Sequence, residues 1–118
     1  MTTTEAKYRT ITLTDRPPVR VNESIWPIIA SASDHDGQVE CQANRRYSLK
    51  ARQHADGRTI VYGVHSSNYQ HEKDAVGGEI LSAGSDIVAA IRRVGAHIEC
   101  DPRMIDECVA DLPAEDLE

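Results

Sequence analysis

Two alternating runs separated by Ala55-Asp56-Gly57 constrain this chain more than any other feature. Residues 46–54 and 59–67 each read as a strand, and Gly57 supplies the positive φ that a tight reversal needs. A β-hairpin follows. With Asp56-Gly57 as a two-residue turn, Leu49 faces Val64, Ala51 faces Tyr62 and Gln53 faces Ile60 on the core side. The opposite side pairs Ser48 with His65, Lys50 with Gly63, Arg52 with Val61 and His54 with Thr59.

The remaining periodicities place further elements around this hairpin. Residues 9–14 alternate, with Ile11 and Leu13 on one side and threonines on the other. Pro17 and Pro18 interrupt the pattern and Val19 and Val21 resume it, so this segment reads as an edge strand or a strand with a short extension. Asn22 opens a predicted helix running to about residue 33, since Ile25, Ile28, Ile29 and Ala32 are spaced for one apolar face. Pro27 then has to lie in its first turn. Residues 39–43 read as a short strand, 67–76 as a polar loop and 77–81 as a last short strand. Ser85 caps a helix over 86–97, whose stripe is Ile87, Ile91, Val94 and Ile98, and Asp101-Pro102 starts a short helix over 103–111. Ten Ile and nine Val against five Leu and no Phe favour sheet over a helical bundle.

The expected fold is therefore α+β. It is a single small domain with an antiparallel sheet of 3–5 strands and two main helices on one face, the other face wet. The order is roughly β(β)αβββα plus a short C-terminal helix. Residues 1–7 read as a frayed N-terminus, 8–111 as the domain and 112–118 as an acidic tail. Ile87, Ile91, Val94, Leu49, Val64, Ile60 and Ile25 are expected to share one core, and Trp26 to be core rather than an exposed anchor.

The net charge of −6 is unevenly distributed: residues 99–118 hold eight acids and one base. Cys41, Cys100 and Cys108 are scattered and odd in number, which fits a reducing cytoplasm rather than a disulfide framework. No apolar run approaches the length of a membrane helix, and residues 1–14 lack a signal-peptide core.

Few constellations carry chemistry. There is no Cys-x-x-Cys pair, no His-Glu-x-x-His and no Gly-x-Ser-x-Gly, so no metal, cofactor or catalytic residue is expected. His65 and Ser66 are strand neighbours and point to opposite sides. Gly77-Gly78 and Gly84-Ser85 lack the lysine of a phosphate loop and read as turn glycines. An enzyme site would have to be assembled from distant residues, in a cleft joining His65 or His54 to an acid of perturbed titration. The feature most suggestive of binding is basic: Arg45, Arg46, Lys50, Arg52, His54, Arg58 and His65 form a candidate binding face, with five bases and one acid between 45 and 58. The α-β-β-β-α order over 23–98 matches double-stranded-RNA-binding domains, yet Ser85-Asp86 would start the last helix with a charge that repels phosphate.

The run Arg45-Arg-Tyr-Ser-Leu-Lys-Ala-Arg-Gln-His-Ala-Asp-Gly-Arg-Thr-Ile-Val-Tyr-Gly-Val64, with Ile87-Val-Ala-Ala-Ile-Arg-Arg-Val94, resembles a group of short uncharacterised bacterial proteins. The resemblance spans most of residues 9–98. It implies a bacterial cytoplasmic protein of the accessory-genome type and carries no activity, ligand or catalytic residue. The expected function is a small non-catalytic adaptor or regulatory module that docks a protein through its sheet face or an open edge. Nucleic-acid binding through the basic hairpin is the alternative, and a site assembled from distant residues is the second.

Overall fold

The computed structural model describes residues 7–37, 39 and 42–114. Six strands precede two helices: β1 (Tyr8–Leu13), β2 (Arg16–Asn22), β3 (Ile28–His35), β4 (Arg45–Gln53), β5 (Thr59–Ser67), β6 (Ala75–Leu81), α1 (Ile87–His97) and α2 (Pro102–Ala110). β3-β4-β5-β6 form one antiparallel sheet, and β1-β2 a separate two-stranded one.

The central hairpin forms, one residue out of the expected register. Gln53 pairs with Thr59, Ala51 with Val61, Leu49 with Gly63 and Tyr47 with His65. The loop holds three residues, not two. His54 N–H donates to the Arg58 carbonyl (2.9 Å) and Gly57 N–H to the His54 carbonyl (2.9 Å), with Gly57 at φ 96°. Such a loop is a turn followed by a glycine bulge. Asp56 stabilises it by accepting the Arg58 N–H at 3.0 Å. A one-residue slip moves every side chain of one strand to the other face relative to its partner. Val61 and His65 therefore lie on the side of Leu49, while Ile60, Tyr62 and Val64 lie on the side of Lys50 and Arg52. The expected common core of Leu49, Ile60 and Val64 is thus corrected. Leu49 and Ile60 are buried on opposite faces, and Val64 is 39% exposed.

The helix expected after Asn22 is instead β3. It pairs with the outer edge of β4, Ala30 opposite Ala51 and Ala32 opposite Leu49. Spacing at 25, 28, 29 and 32 fits a helix, but the Ala-Ser-Ala-Ser alternation fits a strand equally, and β4 offers an unpaired edge to complete it. Of the predicted helical stripe, Ile25 and Ile28 are exposed, while Ile29 and Ala32 pack on the core. Asn22 caps a turn rather than a helix. Its Oδ1 accepts the Ser24 N–H (3.0 Å) and its carbonyl accepts those of Ile25 and Trp26 (both 3.1 Å). The short strand expected at 39–43 is not formed where residues are described: Gln42 N–H closes a turn on the Val39 carbonyl at 3.0 Å. Residues 40 and 41 lie outside the described part, as do 1–6 of the expected frayed terminus and 115–118 of the expected tail. Leu112, assigned to that tail, packs on the core.

α1 and α2 cover one face of the larger sheet. Ile91, Val94, Ile98, Met104, Ile105 and Cys108 meet Ala30, Leu49, Ala51 and Val61 there. Ile87 packs at the edge of this core. The N-cap of α1 is Asp86, whose carboxylate accepts the Ala89 N–H at 3.0 Å, while Ser85 bonds Ser82 instead (3.2 Å). Asp101 caps α2 with Pro102 following it. Cys108 is buried, donates its thiol hydrogen to the Leu49 carbonyl (3.8 Å) and has its pKa pushed up to about 11 by burial.

The opposite face is wet over only half its area. The β1-β2 hairpin lies on the rest, where Ile11, Leu13, Val21 and Trp26 bury Ile60. Trp26 is core, 8% exposed. Val19-Arg-Val21 is thus a strand in its own right, folded back on β1. The hairpin is fastened to β6 at Gly78, whose carbonyl accepts the Thr14 N–H (2.9 Å) and whose N–H donates to Thr14 Oγ1 (3.1 Å).

Candidate functional site

The seven residues of the expected basic face do not share a face. Arg46, Lys50 and Arg52 project away from the helices, Arg45 and His65 project toward them, and His54 and Arg58 close the hairpin loop. Three of the guanidiniums are bound internally. Arg52 is 5% exposed; its Nε donates to the Tyr62 hydroxyl (2.8 Å), and one terminal nitrogen donates to the Trp26 carbonyl (3.0 Å). Its other terminal nitrogen lies 3.6 Å from Glu23. Arg58 pairs with Asp56 at 2.8 Å and lies over the Trp26 ring, against which His54 also packs. Arg45 is held by Glu72 at 2.8 Å. Lys50 lies on the side of the sheet away from the helices, as does Arg46.

The uncovered half-face on that side has a distinct chemistry. Val64 and Val76 stand opposite each other in register and are 39% and 40% exposed. Around them lie Ser48, Lys50, Ser66 and, on β3, Ser31, Ser33 and His35, so the strand residues facing outward here include no carboxylate. Both sheet edges are capped in part. On β3, the Asp111 carboxylate accepts the Ser31 N–H (2.9 Å) and that of Asp34 accepts the His35 N–H (2.8 Å). On β6, Thr14 occupies Gly78. Side-chain acceptors of this kind remove the template that another strand would pair with.

A second feature lies on the helix side. The β5-β6 loop and the end of α1 enclose an open hollow of about 540 Å³. Its floor is Tyr47 and His65, neighbours across β4 and β5, with ring centroids 4.5 Å apart and planes 21° from parallel. His65 is 7% exposed and its Nε2 lies 3.2 Å from a Glu72 carboxylate oxygen. Glu72 accepts from Arg45 Nε (2.9 Å) and a terminal nitrogen (2.8 Å), and the guanidinium holds its carboxyl down to about 2. Arg45 lies 4.6 Å over the Tyr69 ring, and Tyr69 donates its hydroxyl hydrogen to Asp36 at 3.3 Å. Burial raises the Tyr47 phenol.

With Glu72 ionised, its carboxylate can accept a hydrogen from His65 Nε2. Among the described residues no serine or cysteine is hydrogen-bonded to this ring. The structure thus joins His65 to an acid of perturbed titration, as an assembled site would require.

Sequence reasoning missed Glu72 and Tyr47 as neighbours of His65, and His97 and Glu99 as lining the same hollow. The one available signal was strand parity: a three-residue loop at 55–57 would have put Tyr47 and His65 side by side.

The sign of the pH response follows from the Glu72 shift. A carboxyl held below its ordinary value stabilises the fold above that value and loses this contribution as pH falls. Tethering of residues 68–74 is therefore expected to weaken between pH 4.5 and about 2. Acid titration followed through the His65 resonances checks this, and Glu72→Gln should remove the transition.

No described helix is long and apolar enough to cross a membrane. No family model, curated protein or solved structure matches this sequence.

Proposed function

We propose that this chain is a small non-catalytic docking module that holds an acidic protein surface on the uncovered half of its sheet. The observation that carries the reading is the exposed Val64-Val76 pair beside Lys50, on a half-face whose described outward strand residues include no carboxylate, in a protein of net charge −6. An apolar centre with a polar rim that carries a lysine suits a partner of the other sign. The caps on both edges favour the face over strand addition. Self-association through this face is disfavoured, because two copies would bring their lysines together. The nucleic-acid reading is weakened by Arg45, Arg52 and Arg58, which are engaged with Glu72, with Trp26 and Tyr62, and with Asp56. A bacterial cytoplasmic setting belongs to the same proposal, supported by the resemblance to short bacterial proteins and the scattered thiols.

A photo-crosslinking residue at position 64 tests it in cells. The expected result is a discrete protein adduct that Lys50→Glu reduces by about tenfold without changing thermal stability. Adducts that form equally well from an exposed helix position such as Arg103 would overturn the reading. So would retention of RNA or DNA by the purified chain at about 10–50 µM in a gel shift, lost in Lys50→Ala.

A further inference from the structure

Three non-glycine residues among those described adopt left-handed backbone: Asp15 (φ 57°), His71 (φ 70°) and Glu99 (φ 58°). Asp15 sits in the β1-β2 hairpin loop, where such a conformation serves the reversal. The other two line the hollow over His65. At Glu99 the reason for strain is specific. α1 ends with Glu99 N–H on the Ala96 carbonyl (3.1 Å) and Cys100 N–H on the Gly95 carbonyl (3.2 Å), an ending whose left-handed position favours glycine. The chain carries a carboxylate there instead, at a cost in stability, and backbone strain of this kind concentrates at binding sites.

The charges of the hollow narrow the ligand. Arg45 and Glu72 neutralise each other, and Asp74 accepts the Ser67 N–H at 2.8 Å. Lys73, Asp74 and Glu99 have no ion-pair partner among the described residues, which leaves charges of both signs on the rim, one lysine and two carboxylates. Lys73 and His71 come from the β5-β6 loop. Glu99 follows the carbonyl end of α1, which favours a cation. The floor offers the His65 ring, 7% exposed and held by Glu72, as a polar surface. A simple anion would meet Glu99, and a simple cation would meet Lys73.

We infer that this hollow binds a small zwitterion of the free α-amino-acid class, its carboxylate toward Lys73 and His71 and its ammonium toward Glu99 and the end of α1. The site is separate from the docking face and does not depend on it.

Titration of the ¹⁵N-labelled full chain with the L-amino acids, one at a time to about 20 mM, tests the inference. At least one should give saturable shifts at residues 71–74 and 97–100, with a dissociation constant of about 0.1–1 mM, ordinary for so small a ligand in an open site. Its N-acetyl and methyl-ester forms should each bind at least about tenfold more weakly. Lys73→Ala and Glu99→Gln should each weaken binding about fivefold or more. Glu99→Gly should raise the thermal midpoint while losing affinity, a combination that a merely structural Glu99 would not produce. Absence of saturable shifts with every amino acid overturns the inference, as does equal binding of the blocked forms or unchanged affinity in Glu99→Gly. Lys50→Glu should leave the titration untouched, which separates this result from the fate of the docking reading.

Discussion

Arg52→Ala is expected to destabilise the protein by about 3–4 kcal/mol, the largest effect of any single basic residue in the hairpin. The guanidinium lies between the larger sheet and the β1-β2 layer, 5% exposed, and donates to the Trp26 carbonyl and the Tyr62 hydroxyl. Its removal leaves both acceptors without that donor and empties a space lined by Trp26. In a chain of 118 residues the thermal midpoint should fall by roughly 10–15 °C. Arg52→Lys should recover part of the loss, because an ammonium keeps the charge but cannot reach both acceptors with a planar fork. Lys50→Ala, two residues away on the same face, should change stability by less than about 0.5 kcal/mol. Thermal or urea unfolding of the three variants decides it. A loss of only a few tenths for Arg52→Ala would mean that this side chain is a surface cation after all.

Gly78→Ala should cost about 2–3 kcal/mol and act on a different layer. A Cβ at this position would stand 2.9 Å from the Val61 carbonyl oxygen and 3.0 Å from that of Thr12, both of them backbone. Neither can move without displacing a strand, so the β1-β2 hairpin must lift off β6 and give up its two bonds between Thr14 and Gly78. Gly84→Ala provides the contrast. Gly84 has φ 83° but nothing within 4 Å of its would-be Cβ, so only backbone strain of about 1 kcal/mol is expected. Amide exchange separates the two: Gly78→Ala should selectively speed exchange in residues 8–22, and Gly84→Ala should not. Uniform acceleration across the molecule would show that the β1-β2 layer does not detach as a unit.

Local pattern alone was enough to find the alternation at Ile11 and Leu13, the paired strands around Gly57, the Ile87-Ile91-Val94-Ile98 stripe and the Asp101-Pro102 helix start. Each depends on neighbours within a turn or a strand, where period and capping chemistry act directly. The α+β class followed from those elements. What local pattern left open was every choice between two conformations of similar local energy. Gly57 serves a two-residue or a three-residue loop equally well, yet the choice sends Val64 outward and brings His65 beside Tyr47. Residues 28–35 satisfy helical spacing and strand alternation alike. The unpaired edge of β4, and the room that Ala30 and Ala32 leave beneath α2, decided for the strand. Arg52 carries the same charge in sequence as Lys50, and only the β1-β2 layer made one buried and the other a surface cation. Glu72 reaches His65 because a seven-residue loop folds back over the sheet, a contact that no spacing rule encodes. Burial and register are properties of two surfaces meeting, so they were settled when the layers packed.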